Sequence, residues 1–295
     1  MARYEQEKGV CFFAYNNEQI DYGALAILAS RQVKQKLGLP VCLITDEGTV
    51  NWIEQSRGVD LVNESFDYII SKNIEHAKNE RGHYDSPWSS FKAPFKNSNK
   101  HFIYDYSPFE KTLLLDIDYF VNSDFLLPWL DVPGVTMYND SLDIQNREPR
   151  PGEQYLNTNG IPMWWSTVIA FDRSPDSALF FDIWAHVADN YSYYQMLYNF
   201  PGSLFRTDYC VSVATHLMNG MMPGQVINDF NVPMINMEQK DELFKVKDDY
   251  WYFLSNNREE NWKDISVKMS DTDMHLMNKR AIMRNFDGIM ENQNG

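Results

Sequence analysis

Three cysteines in 295 residues, Cys11, Cys42 and Cys210, are too few and too scattered for a disulfide framework or a zinc site. The first two sit inside strand-like apolar runs, so buried free thiols are expected. Long apolar runs are missing too. None approaches the roughly 18 residues of a membrane span, and the opening Met-Ala-Arg-Tyr-Glu-Gln-Glu-Lys lacks the apolar stretch of a signal peptide. A cytoplasmic protein with no membrane partner is therefore expected. Basic residues are in deficit, 26 Lys and Arg against 41 Asp and Glu, leaving a formal charge of −15 that repels nucleic acid and anionic membranes on average. No internal repeat or low-complexity tract occurs. Hydrophobic side chains, by contrast, make up 44% of the chain and aromatics 15%, enough for the core of one α/β domain.

Within that core pattern one segment stands out. Residues 111 to 124 run Lys-Thr-Leu-Leu-Leu-Asp-Ile-Asp-Tyr-Phe-Val-Asn-Ser-Asp, a buried-strand sequence that ends on two carboxylates, Asp116 and Asp118. Positions i and i+2 of a strand face the same side, with Cα atoms roughly 6 to 7 Å apart. Two like charges so close are costly unless a cation, an arginine or a shared proton compensates. A hard divalent ion fits between them, and a solvated strand end is the plainer alternative.

The periodicity around this segment predicts an α/β fold. Gly9 to Tyr15 reads as a first strand, 20 to 37 as a helix stopped by Gly38, and Pro40 to Thr45 as a second strand, together a βαβ unit. A third strand is expected from Phe66 to Ser71, then a long loop over 72–110, with the Asp-x-Asp strand as the fourth. Gly134 to Tyr138 and Trp164 to Phe171 read as further strands around a polar loop from Asn139 to Ile161, and 176–198 and 207–219 as helices. Ile265 to Met269 and Met274 to Met277 are the clearest apolar pieces near the end, whose last five residues are expected to fray. In open α/β sheets ligands bind beyond the carboxyl ends of parallel strands, which directs Ala14, Ile44 and Asp116 to one crevice. Between Asp85 and Asp105 no acid occurs, while Lys92, Lys96, Lys100 and His101 alternate with Trp88, Phe91, Phe95, Phe102 and Tyr104. That texture suits a nucleotide or a phosphate chain with stacking bases, and equally a surface loop whose aromatics turn into the core.

A strand ending Leu-Leu-Leu-Asp-Ile-Asp after an N-terminal βαβ resembles the GT-A (nucleotide-diphospho-sugar transferase) glycosyltransferases, especially the glycogenin and galactosyltransferase-like kind. Ser107 to Val121 is similar to their metal-binding strand, Trp164 to Arg173 to the sugar-contacting strand, Phe205-Arg-Thr-Asp208 to the start of a helix bearing an acid near the sugar, and Met274-His275 with Lys279-Arg280 to a late metal-ligating histidine with basic neighbours. The pattern departs at two points: Asp208 is not followed by Gln, and the basic pair follows His275 closely.

This resemblance implies a mostly parallel central sheet flanked by helices in a single domain, residues 1–122 holding the nucleotide and 123–295 the sugar and acceptor. It implies transfer of a sugar from a nucleoside diphosphate sugar, a UDP-sugar first of all, assisted by Mn²⁺ or Mg²⁺. Asp116, Asp118 and His275 would hold the metal, with Asp118 and Asp208 as catalytic residues. Ala14, Tyr15 and Asn16 would line the base, Asp116 would also touch the ribose, Lys100 would contact the nucleotide sugar, Lys279 and Arg280 would meet phosphates, and Ser166 would orient the sugar with Asp208. Each residue also has a plain structural role open to it: His275 a hydrogen-bonded core residue, Asp208 a helix N-terminal carboxylate, Lys279 and Arg280 a helix start.

Two other functions share the Asp-x-Asp. A haloacid-dehalogenase-like phosphohydrolase uses it as nucleophile and general acid, and a non-catalytic sugar-binding pseudo-enzyme keeps it for contact alone. The texture is also similar to bacteriophage-encoded members of the fold. For those a hydroxymethylated pyrimidine in DNA is an acceptor, placing the protein in the host cytoplasm with Lys92 and Lys96 as acceptor contacts. The oligomeric state is not encoded in any readable motif.

Overall fold

The computed structural model describes residues 6–73, 79–96, 98–145, 147, 154–157, 160–201, 204–222, 226–257 and 263–293. Its centre is a seven-stranded sheet in the spatial order Asn228–Asp229, Val135–Tyr138, Trp165–Phe171, Phe109–Leu115, Gln6–Phe13, Val41–Thr45, Tyr68–Ser71. The last four run parallel, and Trp165–Phe171 lies antiparallel to both of its neighbours. Helices flank the sheet, so the α/β expectation with a mostly parallel sheet holds. Leu113, Leu114 and Leu115 are at most 1% exposed, and each such leucine contributes roughly 1.5–3 kcal/mol of burial. Gly9 makes room for the neighbouring strand, since a Cβ there would meet the Phe109 ring at 2.4 Å.

The helix Tyr22–Leu37 starts on Asp21, whose carboxylate accepts the Ala24 N–H, and stops at Gly38, which takes the left-handed conformation at φ 64°. It is buried nearly all round, which explains its alanines: the C-terminal helix Phe286–Gln293 covers it from the far side, with Gln293 donating to the Leu28 carbonyl at 3.0 Å. The tail through Gln293 is therefore docked, contrary to the fraying expected of the last five residues; Asn294 and Gly295 lie outside the described residues. The three cysteines are buried free thiols, with Cys11 and Cys42 in register on adjacent strands.

Where the sequence reading expects loops, hydrogen-bonded structure appears. The 72–110 segment carries a hairpin, Asn79–Ser86 against Ser89–Phe95, then a helical turn at Lys100–Phe102 and a short helix Ile103–Tyr106. Its strands are too polar to read as core because the hairpin is a cover over the sheet end. The 139–161 loop contains the strand Ser141–Asp143 and a bridge between Tyr155 and Pro162; residues 146, 148–153, 158 and 159 of that expectation lie outside the described residues. The helix expected over 176–198 breaks at Asn190 into Pro175–Asp189 and Tyr191–Tyr198, because the Asn190 amide side chain turns back to the His186 carbonyl at 2.9 Å. The first strand ends at Phe13, and Ile265–Met269 belongs to an exposed edge strand, Asp264–Met269, of a separate three-stranded sheet with Glu242–Lys247 and Tyr250–Asn256. Among the described residues no helix is long and apolar enough to cross a membrane.

A four-stranded sheet ordered Tyr119–Phe120, Met274–Leu276, Met234–Met237, Ser141–Asp143 positions the site. The chain leaves the central strand at Leu115, turns through Asp116 to Asp118, and enters this second sheet at Tyr119. There Tyr119 is in antiparallel register with His275, and the Leu276 N–H donates to the Asp118 carbonyl at 2.7 Å. Main-chain pairing thus brings residue 275 beside residue 118.

Candidate active site

Asp116 and Asp118 lie on the turn past the strand end, not on the strand itself. The Asp116 N–H donates to the Thr167 carbonyl at 2.8 Å and the Tyr119 N–H to the Asp116 carbonyl at 2.9 Å. The alternation argument therefore does not place them; the turn does, and both still face one cleft of about 910 Å³. His275 completes the set. One donor atom each from Asp116, Asp118 and His275 lie within 4.8 Å of one another, with His275 Nε2 3.4 Å from Asp118 Oδ2. Asn236 Oδ1 sits 3.0 Å from His275 Nδ1, an outer partner that favours the tautomer leaving Nε2 free for a cation. Two carboxylate oxygens and an imidazole nitrogen at this spacing could hold a divalent metal ion.

Each acid also has its own lysine. Lys100 Nζ, on a side chain 3% exposed, pairs with Asp116 and donates to the Ser166 carbonyl at 3.1 Å. Lys279 Nζ is 2.5 Å from Asp118 Oδ2. Burial pushes both carboxyls upward. At Asp118 the Lys279 ammonium and the His275 ring reverse that and hold it well below the usual carboxylate range. At Asp116 burial and the neighbouring Asp118 outweigh Lys100, and the carboxyl stays raised. Lys279 is in turn raised: burial disfavours its charge, and Asp118 more than compensates.

The opposite wall comes from the Trp165–Phe171 strand and the start of the helix Thr207–Met218. Ser166 Oγ donates to Asp208 Oδ1 at 2.8 Å and its backbone N–H to the same oxygen at 3.1 Å, while Arg206 donates to Oδ2 at 3.1 Å. Burial raises the Asp208 carboxyl, and Arg206, Lys100 and Ser166 together bring it down to about 2. Trp165 also lines the cleft, and its buried Nε1–H has no hydrogen-bond partner among the described residues.

The cleft gathers Tyr15, Lys96, Lys100, Asp116, Asp118, Ser166, Asp208, His275 and Lys279 from the sequence-predicted set. Ala14 is buried, its carbonyl accepting from Thr45 Oγ1, and does not line the cleft. Asn16 is spent on local structure: its side chain donates to Asp21 at 3.0 Å and accepts the Gly23 N–H at 2.7 Å. Lys96 turns inward to the Asn16 carbonyl at 2.7 Å, and Lys92 alone of the segment's basic residues is exposed, on the hairpin's outer side. Arg280 lies outside the cleft, its guanidinium 3.7 Å above the Phe91 ring centroid and donating to Gln19 at 3.1 Å.

Among the cleft residues that escape the sequence reading are Arg81, His83, Arg206 and Gln239. Arg81 and His83 are i and i+2 on the Asn79–Ser86 strand, so recognising that strand would have placed both on one face. Arg81 stacks over Phe95 at 3.4 Å and donates to the Phe205 carbonyl at 3.3 Å. His83 is held down to about 4 by burial, Lys279 and Arg81, so its ring is neutral at pH 7. Five Lys and Arg side chains against three Asp line the cleft. In a chain of charge −15 this recess is thus locally positive.

No family model matches the chain, and no curated protein matches it in sequence. Among solved structures it is similar to the glycosyltransferase GlyE of Streptococcus pneumoniae (12% identity, TM-score 0.42, covering 76% of this chain and 45% of that one). It is also similar to the galactosyltransferase LgtC with donor and acceptor sugar analogs (14% identity, TM-score 0.41, 75% and 72%) and to the bifunctional glycosyltransferase WbbM (13% identity, TM-score 0.38, 63% and 35%). The chain thus spans less than half the length of GlyE. At TM-scores below 0.5 these likenesses do not assign it to a family.

Proposed function

We propose that this chain is a GT-A type glycosyltransferase that takes a sugar from a nucleoside diphosphate donor, a UDP-sugar first of all. The observation that carries the proposal is the convergence of Asp116, Asp118 and His275 within 4.8 Å in a recess lined by five Lys and Arg side chains. A recess with surplus positive charge and a three-ligand cation site suits a diphosphate leaving group. When bound, Mn²⁺ or Mg²⁺ would neutralise the charge that develops on the departing diphosphate. Asp116, Asp118 and His275 would hold it.

The chain's own groups account for the rest. Lys279 stands beside Asp118 and can turn its ammonium to a phosphate oxygen, while Lys100 keeps Asp116 in place. Asp208, ionised at neutral pH and fixed by Ser166 and Arg206, is set to accept hydrogen bonds from sugar hydroxyls. The Trp165 indole N–H supplies a donor on the same wall. Residues 1–122 carry the nucleotide side on this reading, with Tyr15 and Lys96 toward the base, and 123–295 the sugar and acceptor side.

The test is nucleoside diphosphate release from a panel of nucleotide sugars, with and without Mn²⁺, read against hydrolysis of phosphomonoesters. Slow metal-stimulated release supports the proposal. Phosphomonoester turnover would replace it with the phosphohydrolase, and tight nucleotide-sugar binding without release with the sugar-binding pseudo-enzyme. Full release after chelation would assign charge neutralisation to Lys100 and Lys279 and remove the metal. The acceptor to try first is DNA containing a hydroxymethylated pyrimidine; unchanged electrophoretic mobility of that duplex at low salt would dismiss it.

A further inference from the structure

A second concavity of about 790 Å³ lies outside the cleft and shares the Lys279 side chain with it. Its walls carry Arg57, Lys279, Arg280 and Arg284 against one acid, Asp21. Arg284 is occupied, with Asp85 at 2.6 Å and Glu242 at 3.0 Å. Arg57 and Arg280 are not neutralised in this way. The only carboxylate near Arg57 among the described residues is Asp21 Oδ2 at 3.9 Å, and Arg57 Nε is buried without a hydrogen-bond partner. Asp21 is itself committed, capping Ala24, accepting from Asn16 and taking the Trp52 indole N–H at 3.0 Å. Arg280 has a neutral amide, Gln19, for its hydrogen-bond partner and no carboxylate within 4 Å among the described residues.

Both guanidinium planes are seated on aromatic rings, Arg57 4.3 Å from the Phe286 centroid and Arg280 3.7 Å from that of Phe91. Stacking fixes the guanidinium planes at low entropic cost, and both side chains line the concavity. Two pre-set guanidinium groups whose one nearby carboxylate, Asp21 at 3.9 Å, is already committed are under-neutralised in the free protein and suit the oxygens of a phosphoryl group. We propose that Arg57 and Arg280 form a phosphoryl-binding subsite beside the cleft, distinct from the diphosphate position at Asp118. Its ligand is a phosphate group, carried by the acceptor or free in solution. Phosphate binding at the subsite stands independently of the glycosyltransferase reading, and only its assignment to an acceptor rests on that reading.

Calorimetric titration of inorganic phosphate into the full chain tests it. The Arg57→Gln/Arg280→Gln pair should lose at least about tenfold in phosphate affinity, as removal of charge-assisted hydrogen bonds predicts, whereas the variant Arg206→Gln, which removes a cleft cation, should bind phosphate as the parent does. Equal affinity in the arginine pair, or loss in the cleft variant alone, would overturn the subsite. A crystal soaked in tungstate gives a readout that survives a poorly folding variant: anomalous density between the two guanidinium groups is expected, and density in the cleft alone overturns it. Should the arginine pair raise KM for a phosphorylated acceptor several-fold and leave that for its dephosphorylated form unchanged, the phosphate is the acceptor's; no change in either assigns the subsite to free phosphate.

Discussion

The two carboxylates of the turn are one residue apart, Asp118 the more buried of the two, yet they are held in opposite directions. Asp118 is paired directly with the Lys279 ammonium and the His275 ring and is driven far down, while Asp116 is paired directly with Lys100, feels His275 only at longer range, faces Asp118, and is driven up by burial. The difference is in their neighbours' origin. The Asp116 side is built by the central sheet and its cover, with Lys100 from the helical turn after the hairpin. The Asp118 side is built by the second sheet, which delivers His275 through its pairing with Tyr119 and Lys279 just beyond. Burial raises both carboxyls; the two direct partners that the second sheet brings to Asp118 overcome it, and the one that Lys100 provides at Asp116 does not.

The sharpest way to break that comparison is at Asp118. Removal of a ligand at a strand tip would be expected to spare the fold, but the buried Lys279 pair changes that expectation. Asp118→Ala should abolish transfer and also destabilise the protein by about 3–5 kcal/mol, because it strands an ammonium that has no other carboxylate within 4 Å among the described residues. A second substitution, Lys279→Met, should restore much of the lost stability and none of the activity, a coupling that a urea-denaturation double-mutant cycle measures. Additive losses would show that the pair does not support the fold.

On the sugar side a smaller effect is expected. Asp208→Asn removes the charge that Arg206 and Ser166 hold in place and should lower transfer roughly hundredfold, the scale of losing one pre-set polar contact to a transition state. Donor affinity, measured by nucleotide titration with Mn²⁺, should be nearly unchanged, since Asp208 stands off the metal triad. If nucleotide affinity fell with the rate, Asp208 would belong to the diphosphate side of the cleft.

Legibility follows the same division. Leu113 to Leu115 and Asp116 are readable because a buried strand writes an unbroken apolar run and a charge at its end is conspicuous. The helix Tyr22–Leu37 is readable from its period and its Gly38 stop. The hairpin Asn79–Ser86 with Ser89–Phe95 is not, because its first strand, Asn-Glu-Arg-Gly-His-Tyr-Asp-Ser, has no apolar face to betray it and the short alternation Phe91, Ala93, Phe95 of the second reads equally as a loop whose aromatics turn inward. Arg81 and His83 are lost with it. Arg206 is hidden for another reason: its partner Asp208 reads as an ordinary helix-start acid, and only the sheet brings Ser166 against it. Arg280 was legible as a basic residue near His275, but a helix turns adjacent residues about 100° apart, so Lys279 enters the cleft and Arg280 faces the neighbouring concavity.

The smallest effect sharpens the comparison at the seam between the two sheets. Asp273, next to the strand that bears His275, accepts hydrogen bonds from the Asn122 and Ser123 N–H groups and the Ser123 hydroxyl through Oδ1, while Oδ2 is buried without a partner among the described residues. Burial outweighs those bonds and pushes its carboxyl up to about 6. An unfolded aspartate titrates near 3.9, so between about pH 4 and 6 the folded protein holds the extra proton and stability falls as pH rises. Asp208, lowered to about 2, acts in the opposite sense and contributes stability above about pH 4 that is lost as pH falls toward 2. Asp273→Asn keeps the Oδ1 acceptor and replaces a charge that folding disfavours by a neutral amide. Urea denaturation should therefore show the variant as stable as the parent at pH 4 and more stable by roughly 1–3 kcal/mol at pH 7, with a flatter slope between. Asp241, likewise raised to about 6 by burial, should preserve part of that slope. A variant that loses stability at pH 7 would mean that the Asp273 charge, and not merely its acceptor oxygen, ties the second sheet to the turn.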